Sequence, residues 1–153
     1  GIISERDLVK HLAFKNVGVK VEDVMSRAIV TVSIDSTIKS AAEKMIKFGY
    51  RRLPVLSEGV VVGMVTTMNI IEFFGSNEAY EYAKLGLIED ALSVPVSVIF
   101  DRRIKTISPK ADVGEVASKM LEENVSELIV SEDNKMIGMI TERDVLLALA
   151  FKR

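Results

Sequence analysis

The feature that most constrains this chain is that it repeats itself. Gly63-Met64-Val65-Thr66 returns as Gly138-Met139-Ile140-Thr141, 75 residues later. The same offset carries Ile29 to Ile104, Thr31 to Thr106, Ser33 to Ser108, Ala42 to Ala117, Met45 to Met120, Leu53 to Leu128 and Val55 to Val130, with no gap. A fixed period of this kind makes the fold two copies of one supersecondary unit. A third trace stands at the start, where residues 1–15 match residues 138–152 at an offset of 137. These fifteen residues read as the last strand and helix of a preceding copy, which predicts that the chain was cut from a longer one.

Periodicity changes in the same order within each copy. Ile29 to Val32 and Ile104 to Ile107 are short β-branched runs. Ile38, Ala41, Ala42, Met45 and Ile46 then fall at helical spacing, as do Val113, Val116, Ala117, Met120 and Leu121, so each copy should carry one amphipathic helix. Thr37 and Asp112 stand where a helix N-cap is wanted. Gly49 and Asn124 follow the two helices, and both residue types tolerate the left-handed backbone that ends one. Two strand-like runs come next, Leu53 to Leu56 with Val60 to Val65, and Leu128 to Ser131 with Lys135 to Ile140. Ser57-Glu58-Gly59 and Glu132-Asp133-Asn134 read as the hairpin turns between them. A last helix begins after Thr66 and after Thr141. The predicted unit is β-α-β-β-α, with a parallel first crossover and an antiparallel hairpin. Residues 20–74 and 98–153 are then the two domains. Residues 75–97 form a connector in which Ala79, Ala83, Leu87, Ile88 and Leu92 predict helix.

Composition narrows the function. A chain of 153 residues, 48% hydrophobic, can bury roughly 68–70% of its unfolded surface and needs no staple. The absence of cysteine removes disulfides, thiolate metal sites and cysteine nucleophiles, and fits a reducing cytosol. Twenty basic residues oppose 22 acidic ones, for a net charge of −2; no global field recruits nucleic acid or anionic lipid. No apolar run approaches a membrane span, and the first residues lack a signal-peptide pattern, so a cytoplasmic location is expected. The lone histidine, His11, reads as solvent-facing, and no metal-ligand cluster is apparent. The methionines, at helical spacing or in strands, read as core. An enzyme is disfavoured, because the carboxylates are scattered along helix faces rather than convergent.

The order of elements, Asp23-Val24-Met25 ahead of the first strand, Tyr50-Arg51-Arg52-Leu53-Pro54-Val55 in the second and the Gly-Met-Val/Ile-Thr run in the third resemble the cystathionine-β-synthase-type (CBS) domain family. The resemblance covers nearly the whole chain. It implies an α+β (α/β-like) fold of tandem CBS domains paired about a pseudo-twofold axis, the Bateman module, with two clefts between the halves. More narrowly, Arg-Arg-Leu-Pro and the connector opening Gly75-Ser76-Asn77 resemble the C-terminal half of four-CBS proteins similar to the gamma subunit of AMP-activated protein kinase. The resemblance implies AMP, ADP or ATP as ligand, with no cofactor required, and a regulated protein partner whose identity stays open. Because CBS pairs commonly associate through their helices, it also implies a homodimer.

The candidate site centres on Thr-x-x-Asp at 141–144, echoed by Thr66-x-x-Asn69 and Ser4-x-x-Asp7. A helix N-terminus offers unpaired N–H groups and partial positive charge to a phosphate. The threonine hydroxyl can donate to that phosphate, and a carboxylate one turn on can accept from both ribose hydroxyls. The same spacing is close to a capping box, which only satisfies the helix's own first amides. Both readings stay open at the level of sequence. By resemblance Thr141, Asp144 and the intervening Arg143, with Thr66 and Asn69, contact ribose and phosphate. Asn69 lacks the charge of an aspartate, so its contact should be roughly half as strong. By resemblance one of Arg51 and Arg52 meets phosphate, where a guanidinium can bind two oxygens; adjacent strand residues face opposite sides, so at most one does so. Their counterparts are Ser126 and Glu127, and an acid there repels phosphate, so the two sites should differ. For adenine the resemblance implies Thr31, Ser33, Thr106 and Ser108, with Tyr50 and Val125 as wall; Thr31 and Thr106 also fit plain strand propensity. Two rivals remain: a ligand-free structural dimerisation module, and a pair that binds S-adenosylmethionine, for which the arginines would not matter.

Overall fold

The structure is a computed structural model that describes residues 1–133 and 135–151. In chain order it holds helices α1 (Glu5–Leu12) and α2 (Val21–Val24), strand β1 (Val32–Ser33), helix α3 (Ile38–Phe48), strands β2 (Arg52–Ser57) and β3 (Val60–Thr66), and helix α4 (Thr67–Phe74). Helices α5 (Asn77–Lys84) and α6 (Ile88–Leu92) and a 3-10 turn (Val96–Val98) follow. Strand β4 (Thr106–Ile107), helix α7 (Val113–Glu122), strands β5 (Glu127–Glu132) and β6 (Lys135–Thr141) and helix α8 (Glu142–Phe151) complete it. The fold is α+β, with two three-stranded sheets ordered β1-β2-β3 and β4-β5-β6. In each, the first pair is parallel and the second antiparallel. Both hairpins carry a register shift at the same place, between Val55 and Leu56 and between Val130 and Ser131.

The helix signals act as their chemistry requires. The Thr37 hydroxyl accepts from the Ser40 amide at 3.1 Å, and α3 ends on Gly49 at φ 70°. Asn124 takes φ 51° beyond α7. The turn between β2 and β3 places Glu58 and Gly59 at φ 50° and 80°, the two left-handed residues of a tight hairpin. In the matching turn Asp133 is also left-handed, and Asn134 lies outside the described residues, as do Lys152 and Arg153.

Three expectations need correction. The first strands of the copies are two residues long, at Val32–Ser33 and Thr106–Ile107, because only those residues find partners on β2 and β5. Gly1 to Ser4 forms no strand: Ile2 and Ile3 are exposed, and the described residues offer no hairpin partner for them. Ile46, read as part of the apolar stripe of α3, is 83% exposed, whereas its counterpart Leu121 packs against a buried cluster.

The chain divides into two compact units that are not the two sequence copies. One joins Gly1–Ile29 to the segment from Lys105 onward; the other is Val30–Ile104. Each unit thus combines one copy's sheet and helices with the segment that precedes the other copy's first strand. In the first unit the amides of Val21 and Glu22 donate to Ala111 and Pro109, and that of Val113 to Val19. In the second, Val96 and Ser97 donate to Ser36 and Ile34, and Ile38 to Val94. These are the same bonds, 75 residues apart. Ser26 bridges Met139 as Asp101 bridges Met64, so each preceding segment runs along the outer edge of β6 or β3. This explains the glycine in the repeated tetrapeptide. A Cβ on Gly138 would sit 2.8 Å from the Ser26 carbonyl, and one on Gly63 would overlap Phe100 and the Asp101 carbonyl. The edge can be covered only where no side chain intervenes.

The first unit has a further layer. Val9, Leu12 and Ala13 of α1 and its end share a buried cluster with Val113, Val116, Ala117 and Met120 of α7 and Val145 and Ala148 of α8. Full burial of Val9 and Leu12 contributes about 1.5–3 kcal/mol each. The core of the second unit is Val32, Ala41, Met45, Leu53, Val55, Val65, Val96 and Phe100. Ile38, Phe73, Ala79 and Ala91 tie α5 and α6 to its flank.

Candidate functional site

The last strand of each sheet runs directly into a helix, and the side chains at that junction close on themselves. At the start of α8 the Thr141 amide and hydroxyl both donate to Asp144 Oδ2 at 2.8 Å, and the Asp144 amide donates back to Thr141 Oγ1 at 3.4 Å. At the start of α4, Asn69 Oδ1 accepts from the Thr66 amide at 2.9 Å and hydroxyl at 2.8 Å, while the Asn69 amide donates to Thr66 Oγ1 at 3.2 Å. At Ser4 the amide and hydroxyl likewise donate to Asp7 Oδ2 at 3.0 and 2.6 Å, while the Asp7 amide donates to the Ser4 carbonyl at 3.1 Å. The Thr141 and Thr66 motifs therefore make reciprocal capping boxes, and Ser4 makes the side-chain half of one.

That arrangement bears on ligand chemistry. A carboxylate accepts and cannot donate, so the Thr141 hydroxyl proton is committed to Asp144 and would have to turn away to reach a phosphate. The remaining oxygen of Asp144, a residue only 9% exposed, is fixed by the box and left as an acceptor. In α4 both Asn69 acceptor bonds fall on Oδ1, which leaves Nδ2 as the donor of that side chain. One motif thus presents an anionic acceptor and the other a neutral donor. The exposed Asp7 has its pKa lowered to about 2 by the side-chain and backbone hydrogen bonds of Ser4, helped by Lys10.

The residues beside each box are set by the sheet. In the second unit Arg52 pairs across with Thr66, the Thr67 amide donates to the Arg51 carbonyl at 2.9 Å, and the Tyr50 amide to Met45 at 3.0 Å. Arg51, Arg52, Tyr50, Thr66 and Asn69 thus gather at one end of the sheet, with the Tyr50 ring stacked 6.3 Å from Phe48. Thr31 lies next to them along the sheet, its carbonyl accepting from Lys44 Nζ at 2.8 Å. Ser33 pairs with Leu56, four residues up β2 from Arg52, or about 13 Å along the strand. It is not part of the cluster. In the first unit Glu127 pairs with Thr141, the Glu142 amide donates to the Ser126 carbonyl at 3.0 Å, and the Ser126 hydroxyl donates to Glu127 at 2.8 Å. Val125, Ser126, Thr141, Arg143 and Asp144 gather there. Thr106, opposite Ile129, is nearer than Ser108, whose hydroxyl accepts from the Lys110 amide at 3.2 Å.

Two cavities, of about 320 and 370 Å³, lie elsewhere: one beside α5, lined by Phe74, Ser76, Asn77 and Tyr80, the other by Phe14, Lys20, Asp112 and Ser118. None of the sequence-predicted site residues lines either. Among the described residues no group of three or more His, Cys, Asp or Glu side chains could hold a metal, and no helix is long and apolar enough to cross a membrane.

Two stretches, residues 21–76 and 96–151, match the CBS domain profile. The chain belongs to the CBS domain family. CBS pairs are in general regulatory modules rather than catalysts. The chain is 31% identical over 147 residues to protein MJ1225 of Methanocaldococcus jannaschii, covering 95% of this chain and 52% of that protein. The crystal structure of MJ1225, itself proposed as an archaeal homolog of g-AMPK, superposes with a TM-score of 0.86 at 29% identity, covering 96% of this chain and 54% of that one. A 33.4 kDa protein encoded in the ribosomal RNA operon of Thermofilum pendens is 29% identical over 149 residues, covering 97% of this chain and 50% of the relative. The CBS pair thus spans about half the length of these curated relatives. The CBS domain pair of protein MJ0100, solved with 5′-methylthioadenosine and S-adenosyl-L-methionine, superposes with a TM-score of 0.71 at 25% identity, covering 88% of this chain and 98% of that one.

Sequence reasoning did not single out Arg6, whose guanidinium reaches the Val125 carbonyl at 2.7 Å and Glu142 at 2.8 Å. It also read Asp112 only as a cap. That carboxylate accepts from the amides of Val17, Gly18 and Gly114 at 2.7 to 2.8 Å. No motif or period marks either role, since the partners are remote in sequence.

Proposed function

We propose that this CBS pair is a regulatory module that binds an adenosine nucleotide, AMP, ADP or ATP, and signals its occupancy to a protein partner. The observation that carries the reading is the box at Thr141 and Asp144, which fixes a largely buried carboxylate at a helix N-terminus with one oxygen left to accept a ribose hydroxyl. In the first turn of α8 the Glu142 and Asp144 amides are engaged by Ser126 and Thr141, so the phosphate side falls to the Arg143 amide and the positive end of the helix. Arg51 and Arg52 belong to the corresponding end of the second unit and add charge there, against Ser126 and Glu127 in the first. The site around Asp144 should therefore be the stronger ribose reader, and the site around Asn69 the one that depends on phosphate. Binding can shift a partner only as far as the ligand prefers one state of the module over another. The module is expected to act in the cytoplasm and to form a homodimer through its helices.

A second reading is favoured by the ligands of the MJ0100 pair. An adenosine without phosphate, such as 5′-methylthioadenosine or S-adenosylmethionine, avoids the Glu127 charge and still offers a ribose to Asp144. Calorimetric titration with AMP, ADP, ATP, 5′-methylthioadenosine and S-adenosylmethionine separates the readings. Nucleotide binding weakened by Arg51→Ala or Arg52→Ala supports the first. Binding only of the phosphate-free ligands, indifferent to both arginines, supports the second. No binding of any of them leaves a structural dimerisation module.

A further inference from the structure

The guanidinium of Arg6 joins three pieces of the first unit. Nη1 donates to the Val125 carbonyl at 2.7 Å and to Glu142 Oε1 at 2.8 Å, and Nη2 to the Met120 carbonyl and Asn124 Oδ1, both at 3.2 Å. The ion pair is partly shielded, with side-chain exposures of 26% for Arg6 and 13% for Glu142. Of the two carbonyl acceptors, Met120 lies in the last turn of α7, where it also accepts from the Val125 amide at 3.0 Å, and Val125 lies in the turn beyond the helix. The fourth group, Glu142, is the first residue of α8. Its own amide donates to the Ser126 carbonyl, so the turn after α7 and the start of α8 are already joined by one bond. Arg6 adds the second, ionic connection across the same gap. Val125 and Ser126 on one side and Thr141 and Asp144 on the other are the two halves of the candidate site.

The second unit offers an internal comparison. It keeps the backbone bonds at the same positions, from Thr67 to Arg51 and from Tyr50 to Met45. Met68 stands in α4 where α8 has Arg143 and α1 has Arg6. The Arg6 clamp belongs to the unit that α1 joins.

We infer that Arg6 is a positioning residue for the site at Thr141 and Asp144, so that docking of α1 and occupancy of that site favour one another. The inference rests on the ligand reading proposed above. A guanidinium with four acceptors in two pieces of backbone restricts how far the Val125 turn can separate from α8, and a ligand that touches both requires the same restriction. Linkage then makes the effect reciprocal: whatever holds α1 in place tightens the site, and ligand holds α1.

The test uses the 153-residue chain, with AMP as probe and binding read at the Asp144 amide by NMR, so that the second unit does not contribute. Hydrogen exchange at the Glu142 amide is measured without ligand. Arg6→Ala should speed that exchange and weaken AMP about tenfold, while Arg6→Lys, which keeps the charge opposite Glu142 and loses the fork, falls between. Val55→Ala is the control. It removes buried core from the second unit and lowers stability while leaving α1 and its guanidinium in place, so it should leave AMP affinity within about twofold. Glu142→Gln is the substitute if Arg6→Ala does not fold. Equal loss of affinity in Arg6→Ala and Val55→Ala, or no loss in Arg6→Ala, overturns the inference while the ligand reading stands. No AMP response in the unaltered chain overturns both, and the exchange rates then report a clamp without a ligand to position.

Discussion

Replacing Asp112 by alanine removes three backbone bonds at once. Oδ1 accepts from Gly114, the cap of α7, and from Val17, both at 2.8 Å, and Oδ2 accepts from Gly18 at 2.7 Å. Loss of an N-cap costs about 1 kcal/mol. The Val17 amide is buried and loses a bond to a charged acceptor, which costs about 2 kcal/mol. Gly18 is exposed, so water replaces its bond and the loss is a few tenths of a kcal/mol. The sum is about 3 kcal/mol, or roughly 6–12 °C in melting temperature for a chain of this size. Thr37, at the equivalent position, caps only the Ser40 amide, so Thr37→Ala should cost about 1 kcal/mol. Asp112→Asn falls between, because an amide offers one acceptor oxygen and turns a donor toward Gly18. Acid supplies an independent check. Burial by itself raises the Asp112 pKa, but the Val17, Gly114 and Gly18 amides and the nearby Lys20 charge outweigh it and hold the carboxyl below the usual range. A depressed folded-state pKa gives stability that is present above the unfolded value, about 3.9, and lost as pH falls through the folded one. Urea unfolding of the unaltered chain and Asp112→Ala between pH 7 and pH 2 should therefore show a gap that narrows only in strong acid. A cost below about 1 kcal/mol at pH 7, or one equal to that of Thr37→Ala, refutes the account of Asp112 as a staple between the preceding segment and α7.

A Cβ at Gly114 would overlap the Lys15 carbonyl, so Gly114→Ala should lower thermal stability by several kcal/mol despite the better helix propensity of alanine; a neutral or stabilising result would show that residues 13–16 can move aside. The Asp7 side chain should titrate near pH 2 by NMR, and Ser4→Ala should move it up toward the ordinary aspartate range of about 3.9. An unchanged value would mean that the box at Ser4 does not form.

Much of this architecture is legible in the sequence because it rests on local chemistry. Thr37 caps, Gly49 and Asn124 turn left-handed, and the apolar β2 and β3 runs flank a two-residue turn, so α3, α7 and both hairpins follow from neighbours a few positions apart. The short strands β1 and β4 are less legible, since Ile29, Val30 and Ile104 carry strand propensity without a partner to pair with. Ile46 shows the other failure: periodicity places it on the apolar stripe of α3, yet burial depends on whether another element lies over it, as α1 lies against the cluster beside Leu121. The exchange of leading segments is invisible to pattern. Val19 and Val113 share a bond across 94 residues of chain, and only the repeated glycine at 63 and 138 hints that something passes close by. Of the candidate site, the Thr-x-x-Asp and Thr-x-x-Asn motifs and the arginines at the start of β2 are legible as motifs. Arg6 is not, because its four acceptors stand 114 to 136 residues away.

The central claim is that Asp144 reads a ribose, and removing one hydroxyl from the ligand tests it most directly. AMP, 2′-deoxy-AMP and 3′-deoxy-AMP are titrated against the unaltered chain and Asp144→Ala, with binding followed at the Thr141 amide by NMR. A hydrogen bond to a carboxylate contributes about 1.5–3 kcal/mol, so at least one deoxy ligand should bind the unaltered chain roughly tenfold or more weakly than AMP. In Asp144→Ala all three should bind alike. Equal affinities for AMP and both deoxy ligands in the unaltered chain, or the same deoxy penalty in both proteins, would contradict the account and leave the box at Thr141 as a helix cap and nothing more.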